Sequence, residues 1–237
     1  KSLKAGEYRF TVHESLKDVL QKLHDGQVVQ RQFTVPEGLT SWQIVQLLNM
    51  VEELNGDIAG IPAEGSLLPE TYNFMLGESR MDKIAQMQRA MQQTQDELWA
   101  SVDADSVKLS SAEVLTLASI VEKETAVPDE RRRIAGVFIN RLNKAMPLQT
   151  DPTVIYALTK GKIQNEGKGP LGRRLLRKDL DVDSPYNTYK YPGLPPGPIA
   201  NPGRASIEAV RNPARHNFQE LVADGTGGHV FSETRSV

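Results

Sequence analysis

The run from Ser110 to Thr125, S-S-A-E-V-L-T-L-A-S-I-V-E-K-E-T, is apolar through its middle and ends in two carboxylates, Glu122 and Glu124. Ser110-x-x-Glu113 is a capping-box pattern, which satisfies orphan N–H groups at a helix start. Val114, Leu115, Leu117, Ala118, Ile120 and Val121 then cover most of a helical circumference, the pattern of a buried helix. Glu124 follows Leu117 at i+7, Ile120 at i+4 and Val121 at i+3, so it falls on the apolar stripe. Lys123 instead follows the polar line of Thr116 and Ser119. Pro128 closes the helix and puts Glu124 in or near the last turn. There the negative end of the helix dipole and partial burial both disfavour the ionised carboxylate. A carboxyl raised in this way suits general-acid work near neutral pH. Glu122 follows Ala118 and Leu115 at helical spacing as well, and a carboxylate at a helix end is ordinarily a solvated partner of Lys or Arg. Spacing alone leaves the choice between the two open.

Other candidates are more dispersed. Asp151 precedes Pro152 in Leu148-Gln-Thr-Asp-Pro-Thr-Val154, which suits an N-cap with Pro at N1 and accounts for Asp151 without chemistry. Pro185-Tyr-Asn-Thr-Tyr189 and the stretch from Tyr191 to Pro202 are dense in Pro, Gly, Tyr and Asn. Loops this rigid hold preset shapes at little further entropy cost. Tyr faces and Asn amides suit sugar rings and N-acetyl groups, with a packed irregular loop as the plainer alternative. Asn140 and Arg141 lie beside an apolar stripe, where either can be structural. His229 follows a glycine-rich turn, and a lone histidine there is ordinarily not catalytic.

Several chemistries are excluded. The absence of cysteine removes disulfides, thiolate catalysis and Cys-based zinc sites. His13, His24, His216 and His229 lack metal-ligand spacing, and neither H-E-x-x-H nor G-x-S-x-G occurs. No metal and no cofactor are expected. With 237 residues, 39% hydrophobic and 24% charged, the composition is that of a globular protein. A formal charge of −2 disfavours a general nucleic-acid binder. There is no apolar run of membrane length and no signal peptide. Lys1 stands just before a predicted strand, as in a piece excised from a longer chain.

The positioning elements are expected as follows. Glu7–Val12 alternates like a strand, and Val28–Val35 resembles a second one. Ser15 caps a helix carrying Leu16, Val19, Leu20 and Leu23, ended by Gly26. Pro36-Glu-Gly38 turns the chain, and Thr40 or Ser41 caps a helix through Leu48. Gly56, Gly60, Pro62 and Gly65 mark a linker over 51–66. A helix runs from Met81 to about Val102, with Ile84, Met87, Met91 and Leu98 as core rather than binding surface. Another begins at Asp129 and Glu130, with Ile134, Val137, Phe138 and Leu142 inward. A short helix leads to Leu158, and residues 159–178 form a basic loop. Ala205–Arg211 is helical, and Phe218–Ala223 with His229–Phe231 forms a hairpin. The fold class expected is α+β: a small module over 1–55, then a mostly helical domain over 56–237 with a short β-hairpin region.

The sequence resembles the YceG-like family of endolytic murein transglycosylases. The matching runs are Lys4-Ala-Gly-Glu-Tyr-Arg-Phe10, Val35-Pro-Glu-Gly38, Leu68-Pro-Glu-Thr-Tyr72, Leu117 to Thr125, Val137-Phe-Ile-Asn-Arg-Leu142, Leu148 to Val154, Tyr186-Asn-Thr-Tyr189, Gly193-Leu-Pro-Pro-Gly197 and Val222 to His229. They follow the family's order over nearly the whole chain. The resemblance implies a LysM-like first module and a catalytic domain after it. It makes the second Glu of E-K-E-T, Glu124, the catalytic acid/base. The Glu-Thr pair is similar to the Glu-Ser pair of other lytic transglycosylases, which supports Glu124 over Glu122. Asn140, Gln149, Asp151, Tyr186, Asn187, Tyr189 and His229 are the implied substrate-binding residues. The implied substrate is the peptidoglycan glycan strand, with peptidoglycan synthases as accompanying partners. The implied location is the inner membrane, single-pass, with the catalytic domain in the periplasm; the anchoring helix is not in this sequence.

The implied reaction cuts the β-1,4 bond between N-acetylmuramic acid and N-acetylglucosamine and leaves a 1,6-anhydro end, terminating strand elongation. Two alternatives stand beside it. One is a hydrolytic muramidase with Glu124 as acid and Asp151 as base or nucleophile. The other is a non-catalytic peptidoglycan-binding scaffold whose function lies in the first module.

Overall fold

A computed structural model describes residues 6–100, 107–162, 171–225 and 227–234. The described chain is α+β, with helices α1 (Leu16–Asp25), α2 (Ser41–Asn49), α3 (Arg80–Ala100), α4 (Ser111–Glu124), α5 (Arg131–Asn143), α6 (Asp151–Thr159) and α7 (Arg204–Arg211). Strands β1 (Arg31–Thr34) and β2 (Thr71–Phe74) form one antiparallel pair, and β3 (Glu220–Ala223) and β4 (His229–Ser232) another. Expected features at Val102, in the basic run around Lys168 and at Thr226 lie outside the described residues.

Helix α4 is the centre of the larger core. Ser110 caps it and exchanges capping-box hydrogen bonds with Glu113. Val114, Leu117, Ala118, Ile120 and Val121 are completely buried, and even Thr116 and Ser119 are enclosed. Each polar side chain is satisfied on the spot. Thr116 Oγ1 donates to Ala112 O at 2.8 Å and Ser119 Oγ to Thr116 O at 2.7 Å. Ser119 Oγ also accepts the Ile199 N–H at 3.0 Å, tying the Pro-rich loop to the helix. Around α4 pack Ile134, Ala135 and Phe138 of α5, Ile207 and Val210 of α7, and Leu148. Fully burying a Leu, Ile or Phe side chain contributes about 1.5–3 kcal/mol, so this layer holds the end of α4 in place.

A second core joins Phe33, Val35, Ile44 and Leu48 to Leu67, Tyr72, Phe74, Ile84 and Met87. Its sheet pairs Phe33 with Tyr72 and Thr34 with Thr71. Strand pairing and apolar packing therefore both cross the 51–66 linker. α3 places Ile84, Met87, Met91 and Leu98 inward, as expected of a core stripe.

Three local expectations are corrected. Residues 7–12 form no strand: Phe10 and Val12 are exposed, and the alternation there meets no partner strand. The second predicted strand begins only at Arg31 and pairs with residues 71–74 instead. Asp151 is not the N-cap of α6. Thr150 takes that position with extended backbone (φ −107°, ψ 128°), and Asp151 is the first helical residue.

Candidate active site

Glu124 is the last residue of α4, and the helix ends because Thr125 turns to extended backbone (φ −138°, ψ 140°). The Glu124 carboxyl faces a cleft of about 390 Å³. Phe138 and Leu148 supply its apolar surface, Arg141, Gln149, Thr150 and Tyr189 its polar flank, and Glu220, Leu221, Val222 and Ser232 of the hairpin its other wall. Glu124 Oε2 is buried and has no hydrogen-bond partner among the described residues. Burial raises its pKa above the ordinary carboxyl value, and the Asp151 charge adds to the rise. His229 and Arg141 oppose it without reversing it. Burial thus favours the protonated form of the acid, and its Oε2 is spent on no internal bond among the described residues.

Glu122 is used differently. Its Oε2 accepts the Gly203 N–H at 2.9 Å, its Oε1 lies 3.7 Å from Arg131, and its side chain is 6% exposed. It anchors the start of α7 to the end of α4.

The wall opposite Glu124 is built by buried ties. Arg141 is 5% exposed and spends its guanidinium on three partners. It donates to Gln219 O at 2.5 Å, Leu148 O at 2.7 Å and Glu220 Oε2 at 2.9 Å. One side chain therefore joins α5, the 148–150 segment and the hairpin. Gln149 lines the cleft in left-handed backbone (φ 51°), an uncommon conformation for a side chain other than Gly. Its N–H donates to Thr188 O at 3.1 Å.

The other predicted residues divide into two groups. Tyr189 lines the cleft and its hydroxyl donates to Asp151 Oδ1 at 2.6 Å. Burial and then that hydrogen bond raise the Tyr189 pKa. His229 opens β4. Its N–H donates to Glu130 Oε1 and its Nδ1 lies against Glu130 Oε2, both at 2.8 Å. Burial raises the Glu130 pKa, but hydrogen bonds from His229 and Thr125 outweigh it and leave the carboxyl below its ordinary value. His229 is thereby held by Glu130, within electrostatic reach of Glu124, but neither it nor Asp151 is among the residues lining the cleft.

Asn187, Asn140 and Tyr186 lie outside the residues that line the cleft. Asn187 is fully buried, with its amide donating to Leu180 O at 2.8 Å and Val182 O at 2.9 Å, while its Oδ1 accepts the Tyr189 N–H at 3.0 Å. It shapes the loop that presents Tyr189. Asn140 donates to His216 O at 2.8 Å and Phe218 O at 2.9 Å, fastening the strand leading into β3. Tyr186 packs on Tyr156 with ring centroids 4.8 Å apart and is not among the residues lining the Glu124 cleft. Thr150 and Glu220 carry no motif signal of their own in the sequence, and Glu130 reads there only as an acidic helix start. Thr150 sits inside the Leu148–Val154 run, between the candidates Gln149 and Asp151.

The YceG-like family model matches residues 1–236. A protein of Bacillus subtilis (strain 168) named endolytic murein transglycosylase is 42% identical over 173 residues, 73% of this chain and 45% of its own length. One of Streptococcus pneumoniae serotype 2 (strain D39 / NCTC 7466) with the same name is 31% identical over 97% of this chain and 48% of its own. The chain thus spans about half the length of the curated relatives it matches. A 2.6 Å crystal structure of a yceG-like protein from Listeria monocytogenes superposes with a TM-score of 0.67 at 34% identity, covering 98% of this chain and 83% of that one. By sequence and by fold, the chain belongs to the YceG-like family.

Proposed function

We propose that this chain carries an endolytic lytic transglycosylase activity, that of a lyase acting on peptidoglycan glycan strands in the cell envelope. The names of the relatives support it. The observation that carries it is Glu124, which lines the cleft and whose Oε2 is buried and unpaired among the described residues.

Glu124, protonated, gives its proton to the glycosidic oxygen between N-acetylmuramic acid and N-acetylglucosamine as the C1–O bond breaks. The resulting carboxylate takes the proton from the C6 hydroxyl of the muramoyl residue. O6 bonds to C1, closing a 1,6-anhydro ring and restoring the acid. No water is consumed, so one carboxyl performs both proton transfers, where most glycosidases need two. Gln149, Tyr189 and His229 position the strand around the cleft, with Asp151 orienting Tyr189. A hydrolytic muramidase would instead draw on Asp151, whose Oδ1 is engaged by the Tyr189 hydroxyl.

Residues 1–55 contribute a LysM-like glycan-holding module, its sheet completed by β2 from beyond that boundary, and residues 56–237 the catalytic domain. In the whole protein a single-pass inner-membrane anchor places this region in the periplasm, beside peptidoglycan synthases. Among the described residues no helix is long and apolar enough to cross a membrane. Incubation of the chain with purified glycan strands tests the proposal: shortened strands are expected, and intact ones would contradict it.

A further inference from the structure

Thr150 is 2% exposed, lines the Glu124 cleft and stands at the N-cap of α6. An N-cap threonine ordinarily turns its hydroxyl onto an N–H of the first helical turn. Thr40 does so at the start of α2, and Ser15 and Ser110 do the same for α1 and α4. Thr150 makes no such bond. Its Oγ1 is buried with no partner among the described residues, as is Glu124 Oε2 on the same cleft.

The position of Thr150 does not depend on that hydroxyl. Its N–H donates to Thr188 Oγ1 at 3.1 Å, and its carbonyl accepts Thr153 Oγ1 at 2.7 Å. The preceding Gln149 N–H is held by Thr188 O at 3.1 Å. The segment is thus fixed by its backbone, while a hydroxyl that can donate and accept is withheld from the cap. A buried hydroxyl left unpaired is destabilising, and its retention calls for a partner from outside the fold.

We propose that Thr150 is a substrate-contacting residue: its Oγ1 hydrogen-bonds an oxygen of the sugar seated over Glu124. With Glu124 it makes a two-point polar grip, one point on the breaking bond and one fixing the rotation of the ring. This rests on the glycan-cleaving activity proposed above.

The test uses the full chain with Thr150→Val, which keeps the shape and removes the hydroxyl, and Thr150→Ser, which keeps the hydroxyl. On glycan strands kcat/KM should fall about tenfold or more in Thr150→Val, in line with one lost hydrogen bond. Its Tm should equal or exceed that of the parent, because no internal bond is lost. Thr150→Ser should retain most of the activity. Unchanged kcat/KM in Thr150→Val overturns the inference. A lowered Tm with activity that Thr150→Ser does not restore also overturns it, since that is the behaviour of a structural cap. If the parent chain cuts no strands, the catalytic proposal fails and strand binding decides the question for Thr150. About tenfold weaker Kd in Thr150→Val then supports the contact, and equal Kd refutes it.

Discussion

Glu122 and Glu124 share the last turn of α4 and have opposite surroundings: Glu122 is bound to the Gly203 N–H at 2.9 Å beside Arg131, whereas Glu124 Oε2 is buried without a partner among the described residues. One carboxylate holds two helices together, and the other leaves Oε2 without an internal bond among the described residues. Their substitution by glutamine should therefore separate folding from activity. Glu124→Gln is expected to fold and bind glycan but cut nothing. Glu122→Gln keeps an acceptor for Gly203, loses the attraction of Arg131, and is expected to lose about 1 kcal/mol of stability with substantial activity remaining. Denaturant melts and strand-cleavage assays on the two variants check both halves; the reverse pattern would move the acid to Glu122.

The pH dependence of stability follows from the direction of the Glu124 shift. Its folded pKa is raised above 4.5, first by burial and then by Asp151, while His229 and Arg141 face it with opposing charge. A carboxyl that binds its proton more tightly when folded favours the native state less as pH rises from the unfolded to the folded pKa, and then levels off. Glutamine cannot ionise. Glu124→Gln and the parent should therefore be equally stable below about pH 4, and the variant should become the more stable of the two above it. Melts across an acid-to-neutral pH series measure this, and a variant that falls behind as pH rises would mean that the carboxylate is paired.

Arg141 is the tie between α5, Leu148 and the hairpin wall. Arg141→Met removes all three hydrogen bonds and leaves the Glu220 carboxylate without its partner. Breaking a buried ion pair from one side costs about 3–5 kcal/mol, and a loss near the lower end is expected because Glu220 is partly exposed. Urea denaturation gives the number directly. A loss below about 1 kcal/mol would mean that the hairpin is held by other contacts.

Asn187 offers a second separation of roles. Asn187→Ala leaves Leu180 O and Val182 O unpaired and frees the Tyr189 N–H. A cost of about 1–3 kcal/mol is expected, together with weaker glycan binding through the displaced Tyr189. Tyr189→Phe, which removes only the hydroxyl bound to Asp151, should lower activity with little effect on stability. Comparing melts and turnover of the two variants distinguishes the loop-shaping amide of Asn187 from a glycan-contacting Tyr189 hydroxyl.

The parts of the fold that were legible are those whose cause is local. The α4 helix announces itself by a cap, an apolar circumference and a closing proline, and Glu124 stands in its last turn as expected. Gly26 at the end of α1 stands in the left-handed conformation (φ 71°) that glycine permits. What could not be read is set by distant chain. Residues 7–12 alternate like a strand, yet Arg31–Thr34 finds its partner at 71–74 across the linker. Helical spacing admits both Glu122 and Glu124, and in the fold the arrival of Gly203 and Arg131 separates them. Likewise Asn187 and Tyr189 belong to one short motif, but one amide turns inward and one ring lines the cleft. Asp151 stands one position inside the cap because a cap is defined by backbone angles, and Thr150 is the residue that is extended.

The mass of the cut ends of purified glycan strands tests the central claim most directly. With the parent chain, every new muramoyl end should be lighter by one water than a hydrolysed end, and Glu124→Gln should yield no new ends. Ends carrying the added water, or anhydro ends still formed by Glu124→Gln, would contradict an acid that recovers its proton from the sugar.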